Sequence, residues 1–319
     1  MRYVETIIVG GGPGGSSCAW ELRRQGRECL VLDRKEMPRL KLCAGWVTRK
    51  VLKDLAITPS EYPHGLIKLK RFKLIFGRGR RFAATVKSSQ YSIRRVEFDA
   101  WLLKRSGVET VTHTVRQVTP DDDGYIIDDA YRCRFLVGAG GTNCPVKKAL
   151  FEPDQGDLIV TQEVEFEAPI RNSSCILWFP FAEPWGYAWY VPKANAINIG
   201  FGGRRARLEK WDRARLWDDL LALLRKEECL TESPPQPKGY SYYMGRRRKQ
   251  AKKGTAYLIG DAAGLATVDL AEGIGPAVES GILAARDILG KGSYSLRAIS
   301  RFTLPFLKRA VLRIATLAP

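Results

Sequence analysis

Histidine and methionine are nearly missing from this 319-residue chain, which has 2 His and 3 Met. Two imidazoles, His64 and His113, cannot build a multi-histidine metal centre and are expected to be structural or exposed. The 7 cysteines, at 18, 29, 43, 133, 144, 175 and 229, are odd in number and form no C-x-x-C pair. This argues against a disulfide framework and against a Cys-rich zinc or iron–sulfur site, so no metal is expected and a reducing, cytoplasmic setting fits. No uncharged apolar run approaches the length of a spanning helix. A strand-like run begins at Tyr3, so no secretory leader is expected. Internal repeats and low-complexity tracts are also lacking. What remains is 45% hydrophobic, enough for a sizeable core, over a length that suits two domains or one α/β domain with an insertion.

Acid is missing locally. Residues 66–81 carry Lys68, Lys70, Arg71, Lys73, Arg78, Arg80 and Arg81 without an acid. Residues 245–253 carry Arg246, Arg247, Arg248, Lys249, Lys252 and Lys253, and residues 291–319 carry Lys291, Arg297, Arg301, Lys308, Arg309 and Arg313, again unopposed. These three segments account for the net charge of +18. They suit a phosphate-bearing partner or a solvated basic face. From Pro305 to Leu317 a helical projection puts Lys308, Arg309, Arg313 and Thr316 on one arc, with Phe306, Leu307, Val311, Ile314 and Leu317 over much of the rest. Such a helix either anchors at an anionic membrane surface or packs on its own core. No helix-turn-helix or RNA-binding signature is present, so nucleic acid is not an expected partner.

Residues 3–9 read as a buried strand. Gly10-Gly11-Gly12-Pro13-Gly14-Gly15 follows, then a small-residue helix to about Arg24, then a second strand over Glu28–Leu32 ending at Asp33. The acid lies 18 residues after Gly15, so Gly10-x-Gly12-x-x-Gly15 stands in the context of a dinucleotide-binding βαβ unit. Gly10 permits the tight turn, Gly12 lets backbone approach a pyrophosphate, and Gly15 lets helix and strand pack closely. Pro13 and Gly14 open a helix whose free N–H groups face the phosphates, and Asp33 can accept from both ribose hydroxyls. The fingerprint alone does not separate NAD from FAD. Further along, helices are expected over 48–55, 96–105, 207–228 and after Gly260-Asp261. Residues 66–76 and 80–86 read as a hairpin, and 157–203 as antiparallel sheet.

Three further elements carry a resemblance. Arg95-x-x-Phe98-Asp99-x-x-Leu102, Gly260-Asp261-Ala262-Ala263-Gly264 and Glu272-Gly273-Ile274 resemble the remaining FAD signatures of the flavoprotein superfamily that includes para-hydroxybenzoate hydroxylase. Pro38-x-x-Lys41-x-Cys43-Ala44-Gly45 and Tyr187-x-Trp189-x-Val191-Pro192-Lys193, followed by Ala196–Gly202, are similar to motifs of the geranylgeranyl reductase branch, over roughly residues 1–290. The resemblance implies FAD, with Asp261 on the ribityl chain and Gly273 and Ile274 at the flavin carbonyl region. Arg34, Lys41, Ala44 and Arg95 complete the implied cofactor set. It places Cys43 beside the flavin and makes Gly45, Trp46, Tyr187 and Trp189 substrate-lining, with Cys43 or Tyr187 as proton donor. The residues alone leave Cys43 open as a buried hydrophobe, and Tyr187 and Trp189, which share one strand face, open as core aromatics. Cys18, Cys29, Trp178 and Trp185 are expected to be packing residues.

The chain departs from the pattern at Ala44, where the family has Gly, at Ala271, and after Val268, where the usual Pro is lacking. Gly138-Ala139-Gly140-Gly141 replaces a G-A-D-G motif, which counts against direct NADPH use. It also mimics a second dinucleotide loop, but no βαβ unit follows, so it reads as a decoy. Family members usually continue past this C-terminus, so a capping domain is expected to be missing. The expected architecture is a Rossmann-like three-layer α/β FAD domain from 1–65, 92–150 and 251–300. A β-rich substrate domain comes from 66–91 and 151–250, and residues 301–319 form a C-terminal helix, with the pocket at the domain junction. The implied function is FAD-dependent C=C reduction of an isoprenoid or other lipid. The electron donor, NADPH or a ferredoxin-like protein, is open, and so is peripheral attachment to the inner face of the membrane. An NAD(P)H- and oxygen-dependent monooxygenase and a non-catalytic, membrane-associated flavin protein are the alternatives. A halogenase is disfavoured because a W-x-W-x-I-P stretch is absent.

Overall fold

The computed structural model describes every residue except 80, 154–155, 181–185, 245–249 and 318–319, and the side chains of 311 and 315–317 are not described. Arg80, Trp185, Arg246, Arg247, Arg248 and Lys249, and the side chains of Val311, Thr316 and Leu317, therefore lie outside the described residues. The chain divides into two units, Met1–Leu40 with Val96–Gly156 and Tyr242–Thr303, and Lys41–Arg95 with Asp157–Ser241 and Leu304–Pro319.

The first unit holds two sheets. In one, β1 (Arg2–Tyr3) runs parallel to β10 (Tyr131–Cys133), which continues antiparallel through β9 (Gly124–Ile127) to β8 (Val118–Asp121). In the other, β17 (Lys252–Lys253), β18 (Ala256–Leu258), β11 (Phe135–Gly138), β2 (Thr6–Val9), β3 (Leu30–Asp33) and β7 (Glu109–Thr112) lie in that order. All neighbours from β18 to β7 are parallel. The expected strand over 3–9 is thus two strands in two sheets. Glu5 interrupts it, and its carboxylate pairs with Arg27. Ile7, Ile8, Leu30, Val31, Leu136, Val137 and Leu258 are buried without alternation, as a parallel sheet covered on both faces requires. Helices α1 (Pro13–Arg24), α3 (Arg95–Ser106), α4 (Pro145–Leu150) and α7 (Ile274–Ile288) complete the unit.

The second unit is built on eight strands, in the order β16 (Lys238–Met244), β12 (Asp157–Glu167), β15 (Ala196–Arg204), β14 (Gly186–Pro192), β13 (Cys175–Phe179), β5 (Ile67–Phe76), β6 (Phe82–Ser92) and β4 (Trp46–Val47). The pairs within 157–203 are antiparallel, but β13 meets β5 in parallel. The hairpin partner of β5 runs to Ser92, well past residue 86. Residues 41–65 belong to this unit rather than to the first, because Trp46 and Val47 pair with Ser92 and Tyr91 at the sheet edge. Helix α2 (Arg49–Asp54) follows, capped by Thr48. The helix expected over 207–228 is two, α5 (Arg205–Leu208) and α6 (Arg213–Lys226), because the Asp212 side chain accepts the Arg215 N–H and starts a new helix. Leu216, Leu220, Leu223 and Leu224 of α6 pack with Ile176, Trp178, Ala188, Tyr190, Ile197 and Ile199 on one face of the sheet. Each such side chain contributes about 1.5–3 kcal/mol by burial. The C-terminal helix α8 (Phe306–Leu317) leaves Phe306, Leu307 and Ile314 exposed. Among the described residues no helix is long and apolar enough to cross a membrane.

Candidate functional site

In the first unit, Gly12 caps α1 with extended backbone, and Pro13 takes the first helical position, where its missing N–H costs nothing. Gly10 has φ +112°, and a Cβ there would lie 2.5 Å from the Ala139 carbonyl oxygen. A Cβ on Gly15 would fall inside the Gly10 carbonyl. Gly12 is different: only an Arg39 guanidinium nitrogen comes near, 3.5 Å from where its Cβ would be. The loop is therefore closed by backbone contacts on its protein side and bare at Gly12. Gly138–Gly141 leads from β11 into a short turn and α4, and its Ala139 is the wall that requires glycine at position 10.

Asp33 is buried at the end of β3. Its Oδ2 accepts the Gly11 N–H at 2.7 Å and its Oδ1 accepts the Lys35 N–H at 3.0 Å. Arg39 lies 3.9 Å from Asp33 and 3.6 Å from the fully buried Asp99, a cation at the loop that sequence reasoning missed. Arg34 is exposed just beyond Asp33. On the opposite strand, Gly260 turns with φ +57°, and its N–H donates to Ser280 Oγ at 3.0 Å. Asp261 Oδ1 lies 3.3 Å from where a Gly273 Cβ would be, so the Gly-Asp motif and the Gly273-Ile274 helix start meet. Glycine at 281 lets α7 touch the backbone of α1 at Gly14.

Just before Gly273, Glu272 is buried, with Oε1 accepting the Gly275 N–H at 2.7 Å. Desolvation raises its pKa to about 7. The Gly275 hydrogen bond opposes the shift, and nearby Glu279 adds to it.

In the second unit the Tyr187 and Trp189 face of the sheet carries a continuous aromatic run. Phe82 stacks on Phe76 at 4.7 Å and Phe76 on Phe179 at 5.2 Å. Phe179 meets Tyr187 at 5.7 Å, and Tyr187 meets Trp189 at 5.8 Å. Opposite Trp189 and Tyr187 stand Gly200 and Gly202, and a Cβ on Gly200 would lie 2.6 Å from the Trp189 ring, so glycine there makes room for the indole. A buried polar chain fixes its end: Trp189 Nε1–H donates to Asn198 Oδ1 at 2.6 Å, and Asn198 Nδ2 donates to Glu163 Oε2 at 3.2 Å. Burial raises the Glu163 pKa, opposed by Asn198 and by the Lys193 and Lys41 charges. Trp178, by contrast, is a core residue whose indole donates to the Gly77 carbonyl.

Cys43 is half-buried, whereas Cys18, Cys29, Cys133, Cys144, Cys175 and Cys229 are buried. Burial pushes the Cys29 thiol up to about 12 and the Cys18 thiol well up too, in keeping with packing roles. The Gly45 N–H donates to Cys43 Sγ at 3.3 Å. Ala44 lies between them, half-buried. Trp46 stacks on Phe72 at 4.7 Å, and its buried indole N–H has no hydrogen-bond partner among the described residues. Lys41 sits 3.8 Å over the Tyr240 ring, and Arg95 is buried at the first residue of α3. The Cys43 turn is held at the Lys193 end of β14, whereas Tyr187 stands near the strand's start, about 20 Å of strand away. The two candidate proton donors therefore do not share one position. His113 pairs with Asp128 at 2.7 Å, a structural role.

Residues 8–51 match a family model described as an NAD(P)-binding Rossmann-like domain, and residues 96–288 match one described as an FAD binding domain. Digeranylgeranylglycerophospholipid reductase 1 of Methanopyrus kandleri is 29% identical over 223 residues, 63% of this chain and 58% of that protein. Geranylgeranyl diphosphate reductase of Rhodobacter capsulatus is 25% identical, covering 89% of this chain and 74% of that protein. A geranylgeranyl bacteriochlorophyll reductase-like protein of Thermoplasma acidophilum superposes with a TM-score of 0.77 at 19% identity, covering 100% of this chain and 89% of that one. A flavin-dependent brominase superposes with 0.71 at 18% identity, covering 98% and 84%. The structural likenesses show a shared fold and do not choose among its chemistries.

Proposed function

The chain belongs to the FAD binding domain family, as an FAD-dependent oxidoreductase, and from that premise we propose that it reduces C=C bonds of an isoprenoid or similar lipid chain. The observation that carries this reading is the aromatic run from Phe82 to Trp189, with a half-buried thiol in the same unit. A polyisoprenoid offers little but length and π-density, and an aromatic run, exposed at Phe82, half-buried at Tyr187 and buried at Phe76, Phe179 and Trp189, suits such a chain as the floor of its binding site. The names of the relatives support the same substrate class.

The residues of the first unit fit FAD. Bare backbone at Gly12, with Pro13, Gly14 and Gly15 opening α1, would offer N–H groups to a pyrophosphate, and Asp33 would accept from the adenosine ribose hydroxyls. Arg39 would supply positive charge, and Asp261 with the α7 start at Gly273 and Ile274 would hold the flavin end. Reduced FAD supplies a hydride equivalent. The chain's part is to bind the lipid along Tyr187 and Trp189, keep water from it, and give a proton to the carbon next to the one reduced. We assign that proton to the Cys43 thiol and make Tyr187 wall. The electron donor stays outside this assignment.

The test is product mass. Protein reduced anaerobically with dithionite and given a geranylgeranyl lipid is expected to return a product heavier by two hydrogens per reduced bond, and Cys43→Ala to lose at least tenfold in rate, below the full general-acid effect of about 10²–10⁴-fold because water substitutes in part. An unchanged lipid mass overturns the reading. Exposed Phe306, Leu307 and Ile314 beside Lys308 and Arg313 on α8 further support docking on anionic lipid. Flotation with phosphatidylglycerol vesicles, lost in high salt, is the expected result, and flotation with neither anionic nor neutral vesicles would sink it.

A further inference from the structure

Lys193 is fully buried, and nothing in the proposed chemistry uses it. Its Nζ pairs with Glu165 on β12 and donates at 3.4 Å to the carbonyl oxygen of Cys43, a residue 150 positions away in the chain. The other Glu165 oxygen accepts from Arg94 at 3.1 Å, and Arg94 also bonds Glu167 and Asn195. The Lys193 backbone is fixed independently, by its own N–H to the Ala196 carbonyl at 2.8 Å.

The turn it reaches is built around that ammonium. Gly45 has φ +71°, and a Cβ there would lie 2.6 Å from Lys193 Nζ and collide with the Ile93 carbonyl. The Gly45 carbonyl accepts the Ile93 N–H at 2.9 Å, and the Gly45 N–H bonds the Cys43 sulfur. The turn is thus held at both ends, by Lys193 at the Cys43 carbonyl and by Ile93 at Gly45, and the thiol is carried by its first residue. A fully buried ammonium is a poor stabiliser, because an apolar side chain of the same volume holds a core as well or better. Its presence is accounted for by what it holds in place.

We infer that Lys193 is a positioning residue for Cys43: its buried ammonium, neutralised by Glu165, bolts the Cys43 carbonyl to the sheet and sets where the thiol points. The inference about geometry stands on the contacts above, and its kinetic consequence rests on the proposed reductase reading.

The experiment compares two double variants of the FAD-bound protein, Lys193→Met with Glu165→Gln and Lys193→Gln with Glu165→Gln. Both remove the ion pair, and only the second keeps an N–H donor for the Cys43 carbonyl. The readout is the rate of iodoacetamide labelling of Cys43, assigned by peptide mapping since the other six thiols are buried. Release of the turn is expected to speed labelling roughly tenfold in the Met variant, the equivalent of one lost hydrogen bond, with the Gln variant near the wild-type rate. Lipid reduction by the Met variant is expected to lose kcat at unchanged KM. Wild-type labelling in both variants overturns the inference. If the Met variant does not fold, Lys193→Leu with Glu165→Leu replaces it, an apolar pair in place of the ion pair, and wild-type labelling there overturns the inference equally. Wild-type protein that reduces no lipid, with the labelling response intact, would sink the reductase reading and leave Lys193 in its role.

Discussion

Gly15→Ala yields a protein that purifies without its flavin. The new Cβ would fall inside the Gly10 carbonyl, where the clash is backbone on backbone and no rotamer relieves it. Overpacking costs about 1–3 kcal/mol and more where nothing can yield. The strain falls on the loop proposed to present N–H groups to the pyrophosphate, so FAD affinity is expected to drop by roughly a hundredfold or more. Gly292→Ala is the control, because no atom lies within 4 Å of its Cβ position, and it should keep full flavin. Absorbance near the flavin bands after gel filtration reads both. A yellow Gly15→Ala protein with wild-type affinity would mean that the loop does not hold the cofactor as described.

Glu272→Gln is expected to stabilise the protein at alkaline pH and to do nothing in acid. The sign follows from the direction of the shift. In the unfolded chain Glu272 loses its proton near 4.5, and in the folded chain near 7. Below 4.5 both states are protonated and the group is neutral in its effect. Between the two values the unfolded state ionises while the fold holds the proton, so stability falls as pH rises, and above 7 the loss is complete. The displacement corresponds to about 3 kcal/mol, large against a total stability of about 5–15 kcal/mol. Gln keeps an oxygen for the Gly275 N–H and cannot ionise, so the gain should appear above pH 7 and vanish below pH 4.5. Denaturant titrations of wild type and variant at the two extremes measure it. Equal midpoints at both would show that Glu272 is not held protonated by burial.

The dinucleotide loop was legible in the sequence because its constraint is local. Gly10, Gly12 and Gly15 answer to backbone geometry within one βαβ unit, and Asp33 closes the unit at a fixed distance along the chain. Gly260-Asp261 and Gly273-Ile274 were legible as motifs, but their meeting through Asp261 and Gly273 was not, since nothing in the spacing fixes how the strand end faces the helix start. The pairing of Arg39 with Asp99 escaped for the same reason. In the second unit the alternation of Tyr187 and Trp189 gave a shared face, and the structure added Phe82, Phe76 and Phe179 from three other strands. The parallel pairing of β13 with β5 was hidden because local alternation reads alike in parallel and antiparallel neighbours. Lys193 did carry a signal, a lysine closing the Tyr187-x-Trp189 motif, but its burial and its reach to Cys43 depend on residues 150 positions apart. The break at Asp212 carried a signal, a capping residue inside a helical pattern, that the expectation of one helix over 207–228 passed over.

The most direct test of the central claim is an anaerobic stopped-flow experiment on the dithionite-reduced, FAD-loaded protein, mixed separately with a geranylgeranyl lipid and with oxygen. The account predicts that the flavin bands return on mixing with lipid, and that the return slows in Cys43→Ala. A flavin that ignores the lipid, with a hydroperoxide-like transient on mixing with oxygen, would contradict it and point to a monooxygenase.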